Sequence, residues 1–161
     1  GATSFSFPIA RGFTRLSALY ATFYEGGTKW CKTFYSPLKN LANTAFNDDL
    51  EYNITLGSER FPSFNNESVQ EAFYRLRLTQ LTHQGTDSFS ISPEAYRKDH
   101  FVIGQSMEKC PGQASHTGVN TRSGSQLTLT FKNFGAADML HVVLLYDQVV
   151  NVSAAGVEVL D

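Results

Sequence analysis

Apolar and polar positions alternate with a period of two in most of the segments that show any period. The clearest case is Leu50 to Leu56, where Leu50, Tyr52, Ile54 and Leu56 share one side and Glu51, Asn53 and Thr55 the other. A strand with one dry and one wet face follows. Gln126 to Lys132 repeats the pattern, with Leu127, Leu129 and Phe131 set against Gln126, Thr128, Thr130 and Lys132. Phe13 to Tyr24 and Leu140 to Val150 carry apolar groups on both parities, which predicts strands covered on both faces; a helix competes for the first. Phe5-Ser6-Phe7-Pro8-Ile9 predicts an edge strand, because Pro8 has no amide to give to a ladder. Shorter strands are expected at Trp30 to Tyr35, Ser88 to Ser92 and His100 to Ile103, with a last pairing at Val157, Val159 and Leu160.

Between Phe61 and Gln84 the period lengthens. Val69, Ala72, Phe73, Leu76 and Thr79 recur at three and four residues and predict a helix near residues 69–81, with Arg75 facing outward. Ser68-Val69-Gln70-Glu71 has the spacing of a capping box, in which hydroxyl and carboxylate each satisfy an amide at the helix start. His83-Gln84-Gly85 closes the helix. Pro93 to Asp99 reads as a polar connection or a single helical turn. Lys39 to Asp49 reads as a loop, and so does Gln105 to Ser125. A loop as long as the second is usually functional or interface-forming. Strands without alternating helices predict a mainly β fold, an antiparallel two-sheet sandwich of the jelly-roll kind, with one inserted helix near residues 69–81.

The 161 residues are enough for one core and few for two. Thirteen Lys and Arg face fifteen Asp and Glu, for a net charge of -2, with no block of like charge. Binding to nucleic acid through counterion release needs clustered cations, so no nucleic-acid arm is expected. The apolar run from Met139 to Tyr146 is far shorter than the ~20 residues of a membrane-crossing helix. The chain begins Gly1-Ala2-Thr3 without an initiator Met, so a processed product or an excised domain is expected. Cys31 and Cys110 make no metal-binding pair and are expected as reduced thiols. Sequons at Asn53, Asn66 and Asn151 matter only in a secreted chain.

Candidate chemistry is sparse. His83, His100, His116 and His141 are scattered, and His141 sits inside an apolar strand. Cys110 and His116 invite a thiolate and base reading, which needs the two side chains to meet. Asp48, Asp49 and Glu51 attract a cation only if their oxygens converge. Glu94 and Glu108 form an acid and base couple only at a fixed separation. Neither Gly104-Gln105-Ser106 nor Thr121-Arg122-Ser123-Gly124 has the residues of a phosphate loop. No enzyme, metal or cofactor is therefore expected. Trp30, Tyr24 and Tyr35 could stack on sugar rings, which keeps a carbohydrate- or receptor-binding module of a spike or fibre as the alternative.

Three blocks resemble a known family. They are Ile54-Thr55-Leu56-Gly57-Ser58 with Phe61-Pro62 and the helix Glu71 to Arg77; Phe101 to Lys109 followed by His116 to Gly124; and Leu140 to Leu144 through Asp147-Gln148-Val149-Val150 to Val159. Together they resemble the second jelly roll of double-jelly-roll major capsid proteins of small eukaryotic DNA viruses. The resemblance implies a structural subunit in a virion, one domain over residues 1–161, whose partners are further copies of itself and other capsid subunits. Thirteen Phe, seven Tyr and one Trp exceed what one sandwich core requires, so rings are expected at contacts with neighbours. The loop Gln105 to Ser125 and the extended termini are the expected contact regions.

Overall fold

The computed structural model describes residues 3–24, 50–84, 90–108, 118–122, 124–134, 139–154 and 156–160. The expected strand at Trp30 to Tyr35, the loop Lys39 to Asp49 and most of the interior of the later long loop lie outside these. Nine strands and two helices are described: β1 (Thr3–Ile9), β2 (Leu16–Tyr24), β3 (Glu51–Leu56), β4 (Glu59–Asn66), α1 (Val69–Gln84), α2 (Pro93–Lys98), β5 (Val102–Ser106), β6 (Leu127–Phe134), β7 (Met139–Tyr146), β8 (Val149–Ser153) and β9 (Gly156–Leu160). They form a four-stranded sheet in the order β1-β6-β3-β4, a three-stranded sheet β5-β2-β7 and a two-stranded ribbon β8-β9. Every pairing is antiparallel. The fold is mainly β and sandwich-like.

Alternation decides the four-stranded sheet. Tyr52, Ile54 and Leu56 lie opposite Phe131, Leu129 and Leu127 and all six are buried. The outer face carries Glu51, which accepts from Lys132 Nζ and Asn65 Nδ2 at 2.7 Å each, and Ser6 hydrogen-bonded to Thr130 at 3.1 Å. One parity is dry and the other wet, as expected. β1 is an edge strand, also as expected. β4 has no counterpart in the sequence reading, because Glu59, Arg60, Ser63 and Asn65 hide its period. Asn66 at its end is fully buried, and its Nδ2 donates to the Tyr52 hydroxyl at 3.1 Å.

β2 is central in the second sheet, between β5 and β7, so the two-faced pattern of Phe13 to Tyr24 belongs to a strand and not a helix. Leu19, Ala21 and Phe23 point at the four-stranded sheet, and the Phe23 ring stands 5.6 Å from Phe131 and 5.0 Å from Phe134. Those contacts join the two layers. On the other face, Gly104 lies opposite Tyr20 and under Leu76 of α1. A Cβ there would stand 2.6 Å from Leu76 Cδ1, so the close seating of α1 on β5 depends on a residue without a side chain.

The helix ends at Gln84, inside the His83-Gln84-Gly85 stop that the sequence predicts and three residues past the stretch 69–81. Ser68 Oγ accepts from Glu71 N at 3.1 Å, as the capping spacing predicts. The Glu71 carboxylate is engaged by Arg75, at 3.0 Å from Nε and 2.7 Å from Nη2. Arg75 accordingly lies half-buried along the helix, with its guanidinium 5.2 Å over the Phe64 ring, and does not point outward. Ser90 to Ser92 is not strand: Ser92 Oγ instead caps α2 by accepting from Ala95 N at 3.2 Å. The single helical turn expected after it is present, and it buries Tyr96.

Candidate assembly surface

The expected strand from Leu140 to Val150 is two strands, β7 and β8, separated by Asp147-Gln148. β7 is not enclosed between layers. Leu140, Val142 and Leu144 pack against the core, while the opposite parity is open: Met139 is 44 %, Val143 60 % and Leu145 43 % exposed. The cause is lateral. α1 covers the β5 side of this sheet, whereas β7 is the far edge, and its outer face lies beyond the helix.

β8 and β9 make a hairpin with a second open face. Val150 lies opposite Val159 and Val152 opposite Val157, so by the period of two all four valines share one face. Asn151 and Glu158 are paired on the other. The valines are 51 %, 73 %, 68 % and 52 % exposed in the order 150, 152, 157 and 159. Of twelve exposed large apolar side chains among the described residues, eight lie between Met139 and Val159, which localises the open apolar surface to the end of the chain.

Among the described residues most rings are internal; Trp30, Phe34, Tyr35, Phe46 and Phe89 lie outside them. Phe5, Phe23, Phe101, Phe131 and Phe134 form one connected group of ring contacts. Phe7, Phe64 and Tyr74 do reach the surface, but the open patch is aliphatic. Of the expected loop Gln105 to Ser125, residues 109–117 and 123 lie outside the described residues, and the remainder is not loop throughout. Gln105 and Ser106 belong to β5, and Met107, Val119 and Thr121 are buried. Met107 N donates to Ser17 O, Val119 exchanges two backbone bonds with Leu16, each 2.9 Å, and Thr121 N donates to Phe13 O at 2.8 Å. The two ends of this loop are pinned to the start of β2 and form part of the core.

The other candidate residues separate into structural roles. The His141 ring meets the Tyr24 ring edge-on, with centroids 4.9 Å apart, on the outer face of β7. His100 Nδ1 bonds its neighbour Asp99. Glu94 is ion-paired with Lys98 at 2.6 Å, and the Glu108 amide bonds the Ser106 hydroxyl at 3.4 Å. Glu51 is occupied by Lys132 and Asn65. Arg122 N donates to Asn120 Oδ1 at 2.8 Å, which closes a turn. Trp30, Cys31, Tyr35, Asp48, Asp49, Cys110 and His116 lie outside the described residues, as does the His83 side chain. Among the described residues no three His, Cys, Asp or Glu side chains gather as metal ligands, and no helix is long and apolar enough to cross a membrane.

Two of the clefts lined by described residues exceed 300 Å³. One of about 330 Å³ between α1 and α2 is lined by Val69, Phe73, Pro93 and Tyr96, among others. One of about 310 Å³ lies between Arg11 and Arg122; Arg11 is committed to Phe13 and Tyr146, its guanidinium 5.2 and 5.5 Å from their ring centres. Neither brings together a nucleophile and a base. The feature with chemistry of its own is the open aliphatic surface, which can do one thing: leave water against another apolar surface. The sequence did hold a sign of it, since Val149-Val150-Asn151-Val152-Ser153 and Gly156-Val157-Glu158-Val159 alternate, but their pairing is needed to put the valines together. No protein-family model, curated protein or solved structure matches the chain.

Proposed function

We propose that this chain is a structural subunit of a virus capsid, a jelly-roll domain that packs against copies of itself to build a shell and performs no catalysis. One observation carries the reading: a well-filled core coexists with an aliphatic surface on β7 and the β8–β9 hairpin that the same chain leaves in water. Patches of this order, no larger than the roughly 300–600 Å² of the largest patch on a typical monomer, are often functional, and repeated subunits use such surfaces as contacts. The strand order supports the jelly roll. β6 inserts between β1 and β3, and β2 lies between β5 and β7, so the chain crosses repeatedly from sheet to sheet, as Greek-key winding requires. The sequence resemblance to double-jelly-roll capsid proteins points the same way.

Sedimentation and negative-stain electron microscopy over a rising concentration series test it. Discrete oligomers or closed particles are the expected result. A monomer at every concentration and salt overturns the proposal.

A further inference from the structure

We propose that the valine face of the β8–β9 hairpin seats on the outer face of β7 in a second copy of this chain. The inference rests on the self-association reading above and names the surfaces that carry it. A two-stranded ribbon of five-residue strands is at best marginally stable in water, yet here it forms a sheet separate from β7. Its two faces differ in kind. Val150, Val152, Val157 and Val159 are together on one, while the other mixes Asn151 and Glu158 with Val149, which is 46 % exposed. A ribbon with one apolar face is half of a packed layer.

The other half is β7. Its outer face presents Met139, Val143 and Leu145 beside His141, and it is the last of the described strands in the β5-β2-β7 order. Like the valine face, this shelf carries no Asp, Glu, Lys or Arg.

Area selects the occupant. At ordinary side-chain sizes the four valines and three shelf residues leave on the order of 650 Å² open, against the roughly 1,200–2,000 Å² of total surface that a specific interface buries. One hairpin on one shelf falls short. When every copy both gives a hairpin and receives one, two such contacts per pair reach about 1,300 Å², inside that range. The second copy is the one partner that brings both surfaces, so mutual seating in a closed, symmetric assembly is the arrangement the numbers favour.

The test combines Val152→Lys on the hairpin with Val143→Glu on the shelf, read by sedimentation at low salt, with the melting temperature as the folding control. Each single variant is expected to raise the concentration for half-association by roughly tenfold or more without moving the melt taken at a dilution where the parent is monomeric, and mixing the two is expected to restore part of the association. Hydrogen exchange on the unaltered chain covers the case of a variant that does not fold: the amides around Val143 and Val152 should gain protection only at concentrations where oligomers form. A parent chain that is monomeric throughout overturns the shell reading and the seat together. Oligomers that survive Val152→Lys unchanged, or whose hairpin amides exchange freely, overturn the seat alone. Oligomers lost with Val152→Lys but indifferent to Val143→Glu overturn β7 as the receiving surface.

Discussion

At the scale of single residues, the tightest tolerance is at Gly104. Its missing side chain lets Leu76 lie directly on β5, where an added Cβ would stand 2.6 Å from Leu76 Cδ1 and 3.1 Å from Leu76 Cα. Gly104→Val should lift α1 and cost about 1–3 kcal/mol, seen as a lower denaturation midpoint with the slope unchanged. Tyr52 and Tyr96 are sensitive in another way. Burial pushes both phenols up from the ordinary value of 10.0, Tyr96 well above it, and in each case desolvation is the main cause. The unfolded chain ionises first, so the stability tied to the neutral phenols is complete below pH 10 and is lost as pH climbs from there toward the folded values. The melting temperature should therefore hold across neutral pH and drop above about pH 10. Tyr96→Phe should flatten the drop, while losing the 2.8 Å bond from the Tyr96 hydroxyl to Val102 O.

At the scale of elements, β6 shows where a period of two stops being enough. Leu127, Leu129 and Phe131 keep step, and strict alternation would then send Phe134 into solvent. The β1 pairing slips between Thr3 and Phe5, Asn133 takes a φ of 60°, and this bulge returns Phe134 to the core. Asn133→Gly should fold normally, whereas Asn133→Val, branched at a left-handed position, should lose roughly 1–2 kcal/mol in a urea titration. Legibility followed the same boundary. β3, the start of α1 and the edge position of β1 could be read because one local pattern decides each. β4 escaped because its half-polar edge strand has no period, and the break in Leu140 to Val150 escaped because Asp147-Gln148 is too short to interrupt an apolar run. The open face of β7 could not be read at all, since which parity a helix covers depends on where α1 lands on the sheet.

At the scale of the whole molecule, an assembly held by aliphatic contacts has a thermal signature. Apolar association weakens on cooling and strengthens in sulfate, while simple screening salt acts little on uncharged surfaces. Oligomers should dissociate progressively on cooling from about 37 to about 4 °C in dilute buffer and re-form with added sulfate, as followed by light scattering; the opposite trend would indicate ionic contacts. The position of Asn66 bears on where such a chain can be made. Its Nδ2, the atom to which an oligosaccharide would be attached, is sealed inside the domain against Tyr52. In a compartment that glycosylates nascent chains, sugar transfer and folding would compete for that nitrogen, and a chain sugared at Asn66 could not close its core. Expression through a secretory route should yield a bare, folded pool and a retained pool carrying sugar, and Asn66→Asp, which abolishes the sequon, would not rescue folding because it also removes the donor.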